Sequence, residues 1–214
     1  MDSAAPIMLA LLACAFNFFA GRCFDMLCRV MFTEQESTVG CGEFARQLIG
    51  EAGLSYRVIH DKSSLTGRCN FKRKLIVLGY PLESDIFTAL FQAAHEVGHA
   101  VKGPTVFMSH PILTVLLYLS VILGCYFAGS LGVRQWQSLG VSFMIFGVFW
   151  FAWLHNEISA SRFAGTKLAV HAGESPARKM VLVDIIYKSI LALCQISFCM
   201  SAAWAAFVLG MRGW

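Results

Sequence analysis

Charged residues are scarce in this chain of 214 residues: they make up 14% of it, while hydrophobic residues make up 57% and the mean hydropathy is +0.63. Soluble globular domains usually carry about 25% charged residues. The shortage argues against an ordinary soluble protein and predicts a membrane protein in contact with the lipid bilayer. The net charge is only +4, and Lys and Arg are not concentrated in one stripe. No nucleic acid is therefore expected as a partner.

Closely spaced cysteine pairs are also missing. Eight cysteines occur, at positions 14, 23, 28, 41, 69, 125, 194 and 199, and no two of them form a C-x-x-C pair. A zinc ribbon requires such pairs, and a disulfide scaffold is typical of small secreted domains. We expect these cysteines to be small buried hydrophobic residues in a reducing compartment.

Four apolar stretches predict four transmembrane helices. The first covers residues 4–32; no basic residue precedes it, so we interpret it as a retained span and not as a signal peptide. Residues 105–154 contain two spans that form a hairpin, and residues 180–211 contain the last span. Each stretch reaches the length of about 20 residues that a bilayer requires.

The distribution of Lys and Arg predicts the orientation. Residues 22–102 hold ten of the seventeen and residues 155–188 hold five. Both segments should therefore face the cytoplasm, with both chain termini outside. Because the middle spans form a hairpin, residues 33–102 and 155–179 share one side of the membrane in either orientation. We expect a multi-pass membrane protein with both polar segments on the cytoplasmic side.

Residues 33–103 are the polar part of the chain and predict a small α+β domain. The expected elements are helix, strand, strand and helix, over residues 42–52, 54–59, 75–78 and 85–101. Gly53 should end the first helix, residues 61–70 should form a loop, and Ser84 or Asp85 should cap the last helix. The predicted fold class is a mainly α membrane protein with a small α+β domain.

The last of these helices contains the sequence His95-Glu96-Val97-Gly98-His99, which has the pattern H-E-x-x-H. Residues i and i+4 lie on one face of a helix, so His95 and His99 can bind one zinc ion together. Glu96 lies beside them, where its carboxylate can accept a proton from the attacking water. With this motif helix, residues 33–103 are predicted to be a zincin-like domain. A catalytic zinc site still needs a third protein ligand.

Residues 155–179 offer that ligand. Glu157 begins a predicted helix and would complete a His₂Glu set, while Ser161, one turn later, could hydrogen-bond a ligand histidine. Small Ala160 should allow close packing against the motif helix. His155 is a weaker alternative ligand because it would point to another face, and Glu174 is more simply explained as a solvated loop charge.

These motifs resemble those of the YugP-like neutral zinc metallopeptidases, a membrane family. The resemblance covers residues 38–164 and is carried by the segments 38–46, 53–54, 65–67, 93–100 and Glu157-x-x-Ala160-Ser161-Arg162. It implies a gluzincin-type endopeptidase with one Zn²⁺ on His95, His99 and Glu157, and Glu96 as general base. The chain departs from the family at residues 68–71, where the family has His-Tyr-Asp-Pro, and at His155-Asn156, where it has Pro-Val.

The predicted function is zinc-dependent hydrolysis of peptide bonds in a protein or peptide substrate. We expect the enzyme in a bacterial cytoplasmic membrane, with its active site facing the cytoplasm. By analogy with zincins, Leu75–Leu78 is the expected edge strand for an extended substrate. Tyr80 and Arg162 are candidate oxyanion donors, and Ser161 and Arg162 are candidate outer residues of the site. A homo-oligomer or a membrane-protein partner is also compatible with the sequence.

Other function classes remain as alternatives. A non-catalytic membrane scaffold or metal-binding sensor could retain the fold, although Glu96 is present. A prenyl-protease or heat-shock-type membrane gluzincin would share the chemistry but place an aspartate where Ser161 stands. An intramembrane protease that draws its last ligand from an Asp-Gly pair is disfavoured, because no Asp-Gly occurs in the chain.

Overall fold

A computed structural model of the chain describes residues 37–62, 67–104 and 111–211, and the single positions 8, 11, 12, 15, 26, 27, 31 and 32. Apart from those single positions, the first predicted span, residues 4–32, lies outside the described residues. The described chain is mainly helical and contains one small three-stranded sheet. This agrees with the predicted fold class in its coarse form.

Five helices and three strands form the described structure. The helices are α1 (Cys41–Glu51), α2 (Phe87–Lys102), α3 (Pro111–Ser130), α4 (Gln135–Ala172) and α5 (Glu174–Met211). The strands are β1 (Arg57–His60), β2 (Arg68–Asn70) and β3 (Leu75–Leu78).

The elements form two compact units. The described parts of residues 1–23, 110–154 and 189–214 make up the helical unit, and those of residues 24–109 and 155–188 make up the mixed unit, which contains the sheet. Helices α4 and α5 each contribute residues to both units.

Helix α1 ends as the sequence predicts. Gly53 adopts the left-handed conformation, with φ of +65°, and the Leu54 amide donates back to the Ile49 carbonyl. A residue with a Cβ would be strained in that conformation, so Gly53 allows the chain to leave the helix sharply. The chain then enters β1 at Arg57, later than the predicted strand start at residue 54.

The sheet has the order β1-β3-β2, with β1 parallel and β2 antiparallel to β3. Two predictions are therefore wrong. Residues 61–70 are not all loop, because Arg68–Asn70 pairs with β3 as β2. Leu75–Leu78 is not an edge strand, because it is hydrogen-bonded on both sides; its residues Ile76, Val77 and Leu78 are buried. The edges of the described sheet are β1 and β2.

Helix α2 is the most completely buried helix of the mixed unit. Thirteen of its sixteen residues are buried, including the whole run Ala93–Ala100. It packs in one hydrophobic cluster with α1, β3, the second part of α4 and the first part of α5. The predicted cap at Ser84 or Asp85 is wrong: Ile86 precedes the first helical residue, Phe87, and no side chain caps the helix.

Helices α4 and α5 are longer than predicted. Residues 155–172 continue α4 without a break, and Glu174 is the first residue of α5 and not part of a loop. Only Gly173 separates the two helices, with φ of +87°. The change from apolar to polar composition at residue 155 therefore marks a change in environment within one helix, not the end of a helix.

By length and composition, α4 and α5 could each cross a membrane. They are the two such helices in the described part of the chain, and a shorter apolar helix covers Thr114–Ser130 within α3. The helical unit has its own core, in which buried residues from the three helices meet: Val121, Cys125, Phe146, Cys199, Ala203, Ala206 and Phe207.

Candidate metal centre

Helix α2 supplies two histidines and a glutamate to one buried site. His95 and His99 are one helical turn apart, and their Nε2 atoms lie 3.1 Å from each other. Phe91 stacks on the His95 ring, which limits the rotation of that ring. The histidines and Glu96 are all buried within the mixed unit. His95 and His99 therefore lie on one face of the helix, as their spacing predicts.

Helix α4 brings Glu157 to the same site. Glu157 Oε2 lies 3.1 Å from His95 Nε2, and Glu157 Oε1 lies 3.4 Å from His99 Nε2. The approach is close because Gly98 of α2 faces Ala160 of α4: a Cβ built on Gly98 would lie 3.1 Å from the Ala160 backbone. Ala160 thus has the packing role that its size predicts.

His95, His99 and Glu157 form a group that could hold a metal ion. One ligand atom from each lies within 4.8 Å of the others, and all three residues are buried. Three buried ligand atoms that face one another are costly unless a proton or a cation lies between them, and a metal ion at their centre would satisfy all three. Two imidazoles and one carboxylate suit a divalent transition metal.

The outer nitrogen of His99 also has a partner. Asn156, fully buried on α4, has its side-chain Nδ2 3.1 Å from His99 Nδ1. An amide can present either its oxygen or its nitrogen by rotating half a turn, and the two atoms are assigned from the hydrogen-bond pattern. With the oxygen turned to Nδ1, Asn156 would accept the Nδ1 proton and leave Nε2 free to bind a metal.

The protonation of the site follows from its burial. Burial and the nearby Lys188 ammonium lower the pKa of His95 to about 4, so its imidazole is neutral at physiological pH. Neutral imidazole is the form that binds metals. Burial, opposed by His99 and reinforced by the Glu157 charge, raises the pKa of Glu96 to about 7. A carboxylate with a pKa near 7 can both accept and return a proton.

Glu96 lies against the start of strand β2. A Cβ built on Gly67 would lie 2.8 Å from Glu96 Cγ and 2.9 Å from its Oε1. The absence of a side chain at Gly67 therefore leaves the space that the Glu96 carboxylate occupies. Beside it, Gln92 accepts a hydrogen bond from the Gly79 amide, which ties the motif helix to the end of β3.

The other sequence candidates are divided between the site and the exterior. Ser161 is fully buried, and its hydroxyl lies 3.4 Å from His95 Nδ1. Arg162 is exposed on α4 and does not join the metal-binding group, and His155 is exposed as well. Tyr80 packs against the hydrophobic core of the mixed unit.

Two charged residues of the site were missed by sequence reasoning. Asp184 and Lys188, one turn apart on α5, form a salt bridge of 2.9 Å, and Lys188 forms a second of 2.9 Å to Glu157 Oε2. Their i,i+4 spacing is enough to predict that they pair, but not that the pair lies beside the metal ligands. A charge pair inside an otherwise apolar helix was the available signal, because such pairs commonly mark functional sites.

No protein-family model, curated protein or solved structure matches this chain.

Proposed function

We propose that this protein is a membrane-embedded zinc metallopeptidase, with one Zn²⁺ on His95, His99 and Glu157 and with Glu96 as the general base. The observation that carries the proposal is the buried group of two Nε2 atoms and one carboxylate, next to a second carboxylate that is not part of it. The resemblance to the neutral zinc metallopeptidases leads to the same assignment.

The donor set fits zinc. Catalytic zinc commonly binds two histidines and one glutamate and keeps a further position open. When bound, the ion would act as the Lewis acid that activates water and polarises the peptide carbonyl. Calcium and magnesium prefer all-oxygen sites, so the two imidazoles argue against them.

The protein residues would divide the remaining work. Glu96 would accept a proton from the attacking water and later donate it to the leaving amine, a double role that suits its pKa of about 7. His95, His99 and Glu157 would hold the ion, and burial of the group would keep bulk water away from the reacting atoms.

The substrate would be an extended peptide that pairs with the outer edge of β2. Within the described sheet β2 pairs with β3 on one side, and its first residue follows Gly67, which lies against Glu96. A peptide added along Arg68–Asn70 would use backbone hydrogen bonds, which are independent of side-chain identity. This assigns to β2 the role that the sequence suggested for Leu75–Leu78.

The membrane arrangement belongs to the same proposal. Helices α4 and α5 would cross the bilayer as two of four spans, with both termini outside and the mixed unit on the cytoplasmic side. Reporter fusions after Arg134 and after Trp214 test this arrangement, and both should report an external position. A cytoplasmic signal from either fusion would contradict the orientation.

The decisive experiment replaces Glu96 with glutamine in the full-length protein in detergent or proteoliposomes. Cleavage of an unfolded model protein should fall by about 10²–10⁴-fold, because the general base is lost. Zinc content, measured on the same purified protein, should stay at the wild-type level because Glu96 is not a ligand. Glu51→Gln is the matched control, since it removes an exposed carboxylate of the same unit, and should retain full activity.

The outcomes separate the proposed activity from its main rival. Zinc binding without cleavage by the wild-type protein would favour a metal-binding scaffold or sensor. Cleavage that survives Glu96→Gln would contradict the role of Glu96. Absence of bound metal in the wild-type protein would remove the proposal altogether.

A further inference from the structure

Helix α5 contributes a carboxylate and an ammonium group to the surroundings of the metal-binding group. Asp184 and Lys188 are largely buried within the mixed unit, with side chains 6% and 11% exposed. Lys188 Nζ lies 2.9 Å from Glu157 Oε2 and 3.0 Å from His95 Nε2. An ordinary i,i+4 ion pair lies on the helix surface in contact with solvent, whereas both partners of this pair are largely buried.

The Ser161 hydroxyl joins Asp184 to His95. Ser161 Oγ lies 2.5 Å from Asp184 Oδ2 and 3.4 Å from His95 Nδ1. An ionised carboxylate can only accept a hydrogen bond, so the hydroxyl donates its single proton towards Asp184, or shares it with the Glu157 carbonyl at 2.8 Å. The lone pairs of the Ser161 oxygen can then accept hydrogen bonds, and His95 Nδ1 is one of the two nitrogens close enough to donate one.

Lys188 is compatible with the same state of His95. An ammonium group can only donate hydrogen bonds, and Nζ is nearer to His95 Nε2, at 3.0 Å, than to Nδ1, at 3.5 Å. Glu157 Oε2 also lies 3.1 Å from Nε2, so these two atoms need either a proton on Nε2 or a cation beside them. With a cation there, the ammonium or a bound metal, Nε2 accepts, the ring proton lies on Nδ1, and the Ser161 hydroxyl can accept it.

We propose that Asp184 is a positioning residue of the metal centre, which acts through the Ser161 hydroxyl to hold His95 with Nδ1 protonated and Nε2 directed at the metal. The proposal rests on the metal centre of the proposed function but not on peptide hydrolysis. It also makes the centre a product of three helices: α2 gives the histidines, α4 gives Glu157 and Ser161, and α5 gives the carboxylate that orients them.

Lys188 connects the same carboxylate to the third ligand. Its ammonium bridges Asp184 Oδ2 and Glu157 Oε2, each at 2.9 Å. Asp184 therefore reaches two of the three ligands, His95 through a hydroxyl and Glu157 through an ammonium. Outer partners of this kind fix the orientation of metal ligands, and their loss typically costs about 10–100-fold in metal affinity.

The test measures metal affinity directly, without any substrate. Metal-free full-length protein in detergent is titrated with Zn²⁺ against a chromophoric chelator, and with Co²⁺ for its visible absorption spectrum. Asp184→Asn and Ser161→Ala should each weaken Zn²⁺ binding by about 10–100-fold and alter the Co²⁺ spectrum. The Zn²⁺ affinity of the double variant should lie within about threefold of that of the more impaired single variant, because both residues act through one relay.

Ser159→Ala is the matched control. Ser159 lies on the same helix half a turn from Ser161, but its hydroxyl donates to the His155 carbonyl and accepts from Lys102. Removal of that hydroxyl should leave the Zn²⁺ affinity and the Co²⁺ spectrum unchanged.

Each outcome supports or overturns the relay. Wild-type Zn²⁺ affinity in Ser161→Ala would overturn it, and so would additive losses in the double variant. If Asp184→Asn fails to fold, the Ser161→Ala result alone decides. If both variants bind Zn²⁺ more weakly and the wild-type protein cleaves no peptide, the relay stands and the proposed function is overturned. If both variants bind Zn²⁺ normally and Glu96→Gln loses activity, the relay is overturned and the proposed function stands.

Discussion

The two halves of helix α4 differ in what they expose and what they bury. In residues 135–154 the exposed side chains include large hydrophobic ones, with Trp136 82% and Phe151 73% exposed. In residues 155–172 the buried side chains include polar ones, with Glu157 8% and Ser161 0% exposed. The first half therefore exposes large apolar side chains, which a soluble protein would bury. The second half buries polar side chains, which most proteins expose.

If α4 crosses the membrane as proposed, one helix serves two environments. Exposed apolar side chains cost nothing next to lipid, so a first half that faces lipid would need no polar face. Buried polar groups are costly unless they are paired, and those of the second half are paired with residues of α2 and α5. The helical backbone continues unchanged because its own hydrogen bonds are satisfied in either environment.

The largest effect should come from Lys188→Met, which removes the buried cation of the second environment. Asp184 and Glu157 would then lie close together without the ammonium that bridges them. Loss of one partner from a buried charge pair costs about 3–5 kcal/mol. We expect the metal-free protein in detergent to lose that much unfolding free energy, measured by denaturant or thermal unfolding.

Lys179→Met is the control for that variant, because Lys179 is exposed on the same helix. Equal unfolding free energies of the two variants would show that the Lys188 cluster, formed by Lys188, Asp184 and Glu157, is not buried in solution. Added Zn²⁺ should restore part of the loss in Lys188→Met, since a divalent cation at Glu157 also compensates the carboxylate charge.

A charge placed in each half tests whether the first half faces lipid. Met144 and Val170 are both exposed hydrophobic residues of α4, at 69% and 83%, one in each half. Met144→Asp should disfavour membrane insertion by about 2.5–3.5 kcal/mol, because residue 144 lies near the centre of the predicted span. Val170→Asp should insert like the wild type. An insertion reporter measures both, and equal insertion of the two variants would contradict a lipid-facing first half.

Sequence reasoning predicted the grouping of His95, His99 and Glu157 better than it predicted the fold around them. The helical spacing of His95 and His99 is local information, and the membrane hairpin expected from the sequence would place Glu157 on their side from chain order alone. Asp184 and Lys188 could not be assigned in this way, because their spacing shows that they face each other but not which side of α5 turns inward. That depends on packing against α2 and α4, which a single sequence does not encode locally.

The errors in the fold have similar causes. Strand β2 is three residues long and reads Arg-Cys-Asn, with no alternating apolar pattern; it is a strand only because β3 provides hydrogen-bond partners. The break predicted at residue 155 followed hydropathy, but a helix ends where its backbone must turn, and the first such position is Gly173. Local sequence patterns thus predicted helices and strands well where one face of the element is buried. They failed where pairing with another element determines the structure.

Gly67→Ala should disturb the chemistry of the site with little effect on its stability. The added methyl group would meet the side chains of Glu96 and Gln92, which can move, and no backbone atom is among its closest contacts. A displaced Glu96 should lower peptide cleavage by about 10–100-fold, because small misplacements of a catalytic group are costly. Zinc affinity should not change. In Gly50→Ala, the control, nothing lies within 4 Å of the new methyl group and activity should persist. Cleavage at the wild-type rate in Gly67→Ala would contradict the proposed position of Glu96.

The smallest effect should come from the exposed counterpart of the Lys188 cluster. Glu51 of α1 and Lys167 of α4 form an ion pair of 2.8 Å, the same chemistry as Asp184 with Lys188, but their side chains are 44% and 34% exposed. Hydrogen bonds from Lys167 and Gln47 lower the pKa of Glu51, so any stabilisation is present at neutral pH and is lost as the pH falls through that lowered pKa. Water and salt screen an exposed pair, and Glu51→Gln should melt within about 2 °C of the wild type at neutral pH. A loss as large as that of Lys188→Met would mean that burial is not what separates the two ion pairs, and the contrast between the halves of α4 would lose its physical basis.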